Sequence, residues 1–111
     1  MNIQVTERRP GVFVIALEGD VDMSTSPEVR KTLLSVFKKG ASHIIMDLAG
    51  VQYIDSSGIA TFVEGLQLSR KGETRFTLAG AGPTVESILD LAYLKSVFEI
   101  VPDVNGVLEG E

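Results

Sequence analysis

The sequence contains no cysteine. Disulfides and thiolate metal sites are therefore excluded, a composition that suits the cytosol. It has no run rich in lysine or arginine, and 10 basic residues against 15 acidic ones leave a net charge of −5. That balance argues against a nucleic-acid partner and against docking on an anionic membrane. The longest apolar run, Val12 to Leu17, is far shorter than the roughly 20 residues that span a bilayer as a helix. Met1-Asn2-Ile3-Gln4 lacks the basic start and apolar follow-on of a secretory signal. Internal repeats and low-complexity segments are missing too. Histidine occurs once, at His43.

What remains is an ordinary globular composition, 44% apolar and 23% charged over 111 residues. One domain spanning 1–111 is expected, long enough to bury a core without covalent staples. Ile3 and Val5 alternate with polar neighbours and predict a short half-buried edge strand. Arg9-Pro10-Gly11 turns the chain into Val12–Leu17, a central strand rich in β-branched residues, and the close spacing predicts an antiparallel hairpin. Thr25-Ser26-Pro27-Glu28 fits a capping box, with Ser26 before Pro27 a near-equal start. Val29, Leu33, Val36 and Phe37 supply one helical face, and Lys38-Lys39-Gly40 its stop.

His43–Leu48 predicts a strand buried on both faces. A second helix starts near Ser56 or Ser57, with Ile59, Phe62, Val63 and Leu66 inward, and stops at Arg70-Lys71-Gly72. Arg75–Ala79 is a fourth strand. A third helix from about Thr84 turns Val85, Ile88, Leu89 and Ala92 inward. Val97–Ile100 is a fifth strand, and a short last helix carries Val104, Val107 and Leu108. Strands alternating with helices predict an α/β fold: a mixed, mostly parallel sheet with an N-terminal antiparallel strand, packed by about four helices. In such sheets ligands and partners meet the carboxyl ends of the strands. Asp20, Asp22 and Asp55-Ser56 all follow strand ends and are expected to share one edge.

Several chemistries can be weighed at that edge. Asp55-Ser56-Ser57-Gly58 lacks the leading glycine of a nucleophile elbow, and His43 is placed at the far side of the sheet from Ser56, so a serine hydrolase has no base. Asp20, Asp22 and Asp55 offer carboxylates for Mg²⁺, but the lysine that a phosphoacceptor aspartate needs after the fourth strand is replaced by Gly80-Ala81-Gly82. That same Gly80-Ala81-Gly82-Pro83 has no Walker lysine and reads as a strand-to-helix turn. Neither a metal nor a cofactor is expected, nor enzymatic activity. A serine switch fits better. One capping hydroxyl suffices for a helix start, yet two stand here behind a carboxylate, where phosphorylation would add about two negative charges.

Gly19-Asp20-Val21-Asp22, Asp55-Ser56-Ser57-Gly58-Ile59 and Gly82-Pro83-Thr84-Val85 together resemble a stand-alone STAS domain of the anti-sigma factor antagonist type, across essentially the whole chain. The resemblance implies a cytoplasmic, non-enzymatic partner-switching protein. Unphosphorylated, it would bind an anti-sigma factor that is also a serine kinase with a histidine-kinase-like ATP fold. Phosphorylation of Ser56 would release that kinase, and a metal-dependent serine phosphatase would reset the protein. It further implies that Asp22, Asp55, Ser57, Gly58 and Ile59 form the partner-binding edge with Ser56, Asp22 orienting the acceptor, Gly58 allowing close approach and Ile59 supporting the loop. Asp20 belongs to the same edge with a less defined role. The short C-terminal segment departs from members with a longer last helix. A monomer or weak dimer is expected. The alternative job on the same fold is a scaffold or accessory subunit in a stress-signalling or lipid-transport complex. A transporter-tail role would require a transmembrane segment that the sequence lacks.

Overall fold

The computed structural model describes residues 1–110. The elements run β1 (Asn2–Arg9), β2 (Val12–Glu18), α1 (Ser26–Lys38), β3 (His43–Gly50), α2 (Ser56–Lys71), β4 (Arg75–Ala79), α3 (Pro83–Leu91), β5 (Glu99–Val101) and α4 (Val104–Glu109). The five strands form one sheet in sequence order. β1 is antiparallel to β2, and the other neighbours are parallel. This is the mixed sheet and helix count that the alternating patterns predict.

Each parallel step moves one strand along in the same direction, so right-handed crossovers put α1, α2 and α3 on a single face. The alternation of side chains records it. Phe13, Ile15, Leu17, Ile44, Met46 and Leu48 of β2 and β3 belong to the large core under these helices. Val14 and Ile45 point the other way and are covered by Val107 of the six-residue α4. Burying an apolar side chain of this size stabilises by about 1.5–3 kcal/mol, and among the described residues the large core holds 20 buried apolar residues.

Four local features differ from expectation. β1 runs on to Arg9 and Val5 is 40% exposed, because an edge strand has no neighbour to cover its outer flank. β5 begins at Glu99, while Val97 stays 41% exposed and only Phe98 of that pair is buried. Ala92 is the exposed C-cap residue of α3 and does not face inward. The Thr25 capping box does not form: Thr25 makes no side-chain cap bond to α1. Its hydroxyl donates to Asp20 O at 2.8 Å and accepts from Asp22 N–H at 2.9 Å.

α2 lies tight on the sheet at Gly65. A β-carbon there would come within 2.8 Å of both Leu33 Cδ2 and Phe76 Cζ, so glycine sets the spacing between α1, α2 and β4. Replacing Gly65 with valine is expected to overpack this contact and destabilise by about 1–3 kcal/mol. Thermal unfolding would read this as a loss of roughly 4–8 °C per kcal/mol.

Candidate functional site

β2 and β3 are parallel neighbours, so both chains leave the sheet at the same edge. Their pairing continues past the strands. Val21 forms an isolated parallel bridge with Ile54, with Val21 N–H to Tyr53 O at 2.9 Å and Asp55 N–H to Val21 O at 3.0 Å. Both side chains are buried to within 1% of complete. The residues that follow, Asp22 and Asp55, are thereby set side by side at the starts of α1 and α2.

The two carboxylates then do the same thing. Asp55 is the N-cap of α2. Its Oδ1 accepts from Ser57 N–H at 2.9 Å, Gly58 N–H at 3.1 Å and Ser57 Oγ–H at 2.6 Å. Asp22 Oδ1 accepts from Ser24 N–H at 2.9 Å, Thr25 N–H at 3.2 Å and Ser24 Oγ–H at 2.6 Å. A short polar side chain that captures donors two and three residues ahead closes an Asx turn, and at Asp55 the captured N–H groups are those orphaned at the start of α2. Asp22 closes the turn that leads into α1, whose N-cap position is Thr25 without a side-chain cap bond, and Asp55 takes the place assigned to either serine. Asp55 also reaches across: its Oδ2 accepts from Met23 N–H at 3.2 Å, tying one loop to the other.

These hydrogen bonds favour the charged carboxylates. Asp55 is held below the ordinary aspartate range chiefly by the Ser57 hydroxyl, then by backbone donors, against a desolvation penalty that acts the other way. Asp22 is held low chiefly by the Ser24 hydroxyl and the Ser24 N–H. Asp20 is exposed and stands apart from this pair, lining a shallow depression with Glu18, Asp47 and Gln52. Among the described residues no group of three or more histidines or carboxylates is gathered to hold a metal ion.

The two serines are inequivalent. Ser57 is half-buried and its hydroxyl is occupied by Asp55. Ser56 is the first residue of α2 and is exposed, and its hydroxyl has no hydrogen-bond partner among the described residues. Gly58 is buried, and a β-carbon there would lie 2.8 Å from Val21 Cγ1 and 2.9 Å from Val21 O. The close approach that this glycine permits is thus to the neighbouring loop of the same chain. Ile59 is half-buried against the main core. His43 lies at the other end of the sheet, 3% exposed, with Nε2 2.8 Å from Thr77 Oγ1. It cannot serve Ser56 as a base.

Sequence reasoning overlooked two apolar residues of this edge, Met23 at 80% exposure and Tyr53 at 49%. Met23 occupies in the first Asx turn the place that Ser56 occupies in the second. The signal was the repeat Asp-x-Ser, at Asp22-Met23-Ser24 and Asp55-Ser56-Ser57, after two strands already read as parallel.

With this geometry in place, likeness to known proteins can be weighed. A family model described as STAS domain matches residues 4–107. The chain is 29% identical over 117 residues to an anti-sigma F factor antagonist of Paenibacillus polymyxa, covering 100% of this chain and 97% of that one. It is 26% identical over 110 residues to an anti-sigma-B factor antagonist of Listeria monocytogenes, covering 99% and 96%. Its fold matches the crystal structure of an anti-sigma factor antagonist from Mycobacterium paratuberculosis with a TM-score of 0.84, at 24% identity over 98% of this chain and 93% of that one. It also matches the phosphorylated form of the Bacillus cell fate determinant SpoIIAA with a TM-score of 0.78, at 17% identity and 97% of each chain.

Two outcomes follow from the hydrogen bonding. Ser56→Ala should leave thermal stability unchanged within about 0.5 kcal/mol, as for a surface position without partners, whereas Ser57→Ala should lower the melting temperature by removing a donor to Asp55. Because the folded pKa values of Asp22 and Asp55 are depressed, their contribution is fully present above the unfolded value near 3.8 and is lost as pH falls through the folded values. Asp55→Asn keeps an acceptor oxygen but removes the titration. Its melting temperature should therefore fall less steeply than that of the parent below about pH 4; parallel curves would remove Asp55 from the acid response.

Proposed function

The chain belongs to the STAS domain family, and from that premise we propose that it is an anti-sigma factor antagonist switched by phosphorylation of Ser56. The observation that carries this reading is the division of labour at the start of α2. Asp55 and Ser57 hold the helix, and Ser56 stands outside with a hydroxyl that the fold does not use. A residue placed so can be modified without unfolding anything.

The same geometry supports release by charge. Phosphorylation brings about two negative charges and three acceptor oxygens. A bare helix N-terminus would welcome them, but here Ser57 N–H and Gly58 N–H already donate to Asp55, and Ile59 N–H donates to Asp55 O. Arg30, in the second turn of α1, is engaged by Glu64 at 2.6 and 2.9 Å. The phosphate therefore stays exposed beside Asp55 and Asp22 and adds its charge to theirs. Its effect falls on whatever touches the edge.

In this reading the unphosphorylated edge, with Asp22, Asp55 and Ser56 at its centre and Ile59 behind them, binds an anti-sigma factor that is a serine kinase of histidine-kinase-like ATP fold. Asp20 flanks the contact. Transfer to Ser56 ends the complex, and a metal-dependent serine phosphatase restores it. The protein works in the cytoplasm and is a substrate of these enzymes, with no catalysis of its own. Among the described residues no helix is long and apolar enough to cross a membrane.

With the partner kinase in hand, Ser56→Ala should bind it and remain bound when ATP is added. Release at the parent rate would move the acceptor elsewhere. Ser56→Asp should weaken the complex only in part, since it supplies about one charge in place of about two. Peptide mass spectrometry of the protein from its native cells should find phosphate on Ser56; a Ser56 peptide unmodified in every growth condition would favour the scaffold or accessory-subunit role instead.

A further inference from the structure

The edge that bears Ser56 also carries an apolar side chain that the fold leaves unused, and the inference drawn from it rests on the reading of Ser56 as acceptor. Met23 is 80% exposed and belongs to neither core cluster. Its backbone is fixed nonetheless. Met23 N–H donates to Asp55 Oδ2 at 3.2 Å. The residues on either side of it are joined by Ser24 N–H to Asp22 Oδ1 at 2.9 Å, and Ser26 N–H to Asp22 O at 2.7 Å closes the turn. A single exposed apolar residue is ordinary on a protein surface. This one is presented on a preorganised turn, so less freedom is lost when a partner takes it.

The same bonds set its place relative to Ser56. The 3.2 Å contact to Asp55 Oδ2 and the single peptide from Asp55 to Ser56 hold the Met23 nitrogen within about 11 Å of the Ser56 Cα. A specific interface covers roughly 800 Å² of each partner, a patch of about 16 Å radius. A protein that brings an ATP site onto the Ser56 hydroxyl therefore covers Met23 as well. The carboxylates are poorly placed to supply the binding energy, since Asp22 Oδ1 and both oxygens of Asp55 already accept hydrogen bonds within the turns. Interface centres are depleted of charge and enriched in methionine, whose unbranched thioether fills irregular apolar pockets. We propose that Met23 is a specificity-determining anchor of the kinase contact: it enters an apolar pocket beside the phosphoryl-transfer site while Ser56 enters that site. A kinase of the same fold with a polar or filled surface at that point is rejected, so Met23 selects the partner and Ser56 takes the phosphate.

The probe is the serine kinase of the native cells, purified by following transfer of phosphate from ATP to Ser56. Steady-state phosphorylation of the full chain separates KM from kcat, and peptide mass spectrometry locates the phosphate. Met23→Gln keeps the length of the side chain and makes its end polar. It should raise KM about tenfold or more, with kcat within about twofold of the parent and an unchanged melting curve. Met23→Leu restores the apolar volume and should bring KM back to within about threefold of the parent. Leu91→Gln removes an equally exposed apolar residue at the end of α3 and should leave KM at the parent value. Met23→Asn, with the same expectation, replaces Met23→Gln if circular dichroism shows the latter unfolded. A folded Met23→Gln with the parent KM, on a chain that still takes phosphate at Ser56, would overturn the anchor and leave the acceptor reading intact. A fall in kcat at unchanged KM would overturn it too, by placing Met23 at the chemistry. A parent chain that takes no phosphate at Ser56 would instead overturn the acceptor reading, and the anchor with it.

Discussion

The parallel pairing of β2 with β3, carried past the strands by the Val21–Ile54 bridge, is the contact on which the edge bearing Asp22, Asp55 and Ser56 depends. Two loops that leave a sheet side by side would ordinarily diverge toward their own helices. Here Val21 N–H and Asp55 N–H hold them together for one more residue, Gly58 lets the first turn of α2 rest on Val21, and Asp55 takes the N–H of Met23. Each contact is modest alone, since a hydrogen bond contributes about 1 kcal/mol net. Their joint effect is geometric: two helix starts are fixed in one relative placement.

That placement separates the residues that hold the turns from those that stand outside them. The carboxylates and the inner hydroxyls, Asp22 with Ser24 and Asp55 with Ser57, close the turns. The residues between them, Met23 and Ser56, are left outside. A surface built this way can gain charge at one atom while its backbone stays still. The hydrogen bonds that shape the edge thus make no use of the hydroxyl that stands furthest out on it.

Much of this was legible in the sequence because local preference and tertiary need coincide. The helix stripe at Val29, Leu33 and Val36 is buried as its spacing requires, and the Ile44-Ile45-Met46 run is buried on both faces of a central strand. The shared edge of Asp22 and Asp55 followed from parallel topology alone. The details that escaped were competitions. Thr25 and Glu28 match a capping box, but Asp22 takes the Thr25 N–H that Glu28 would accept, and the Thr25 hydroxyl turns to Asp20 O. Ser56 and Ser57 both look like caps, but the carboxylate before them is the stronger acceptor. Tyr93 escaped for another reason: no glycine marks the left-handed residue that ends α3.

The contact between Gly58 and Val21 also governs how this protein can diverge. Position 58 has no room for a β-carbon because the fully buried Val21 lies against it, so mutational drift at position 58 is blocked by its neighbour. Met23, Tyr53 and Ser56 stand outside that lock, and changes there leave the scaffold's stability nearly untouched. Duplicated copies of such a chain can therefore diverge at these outer positions while sharing one fold.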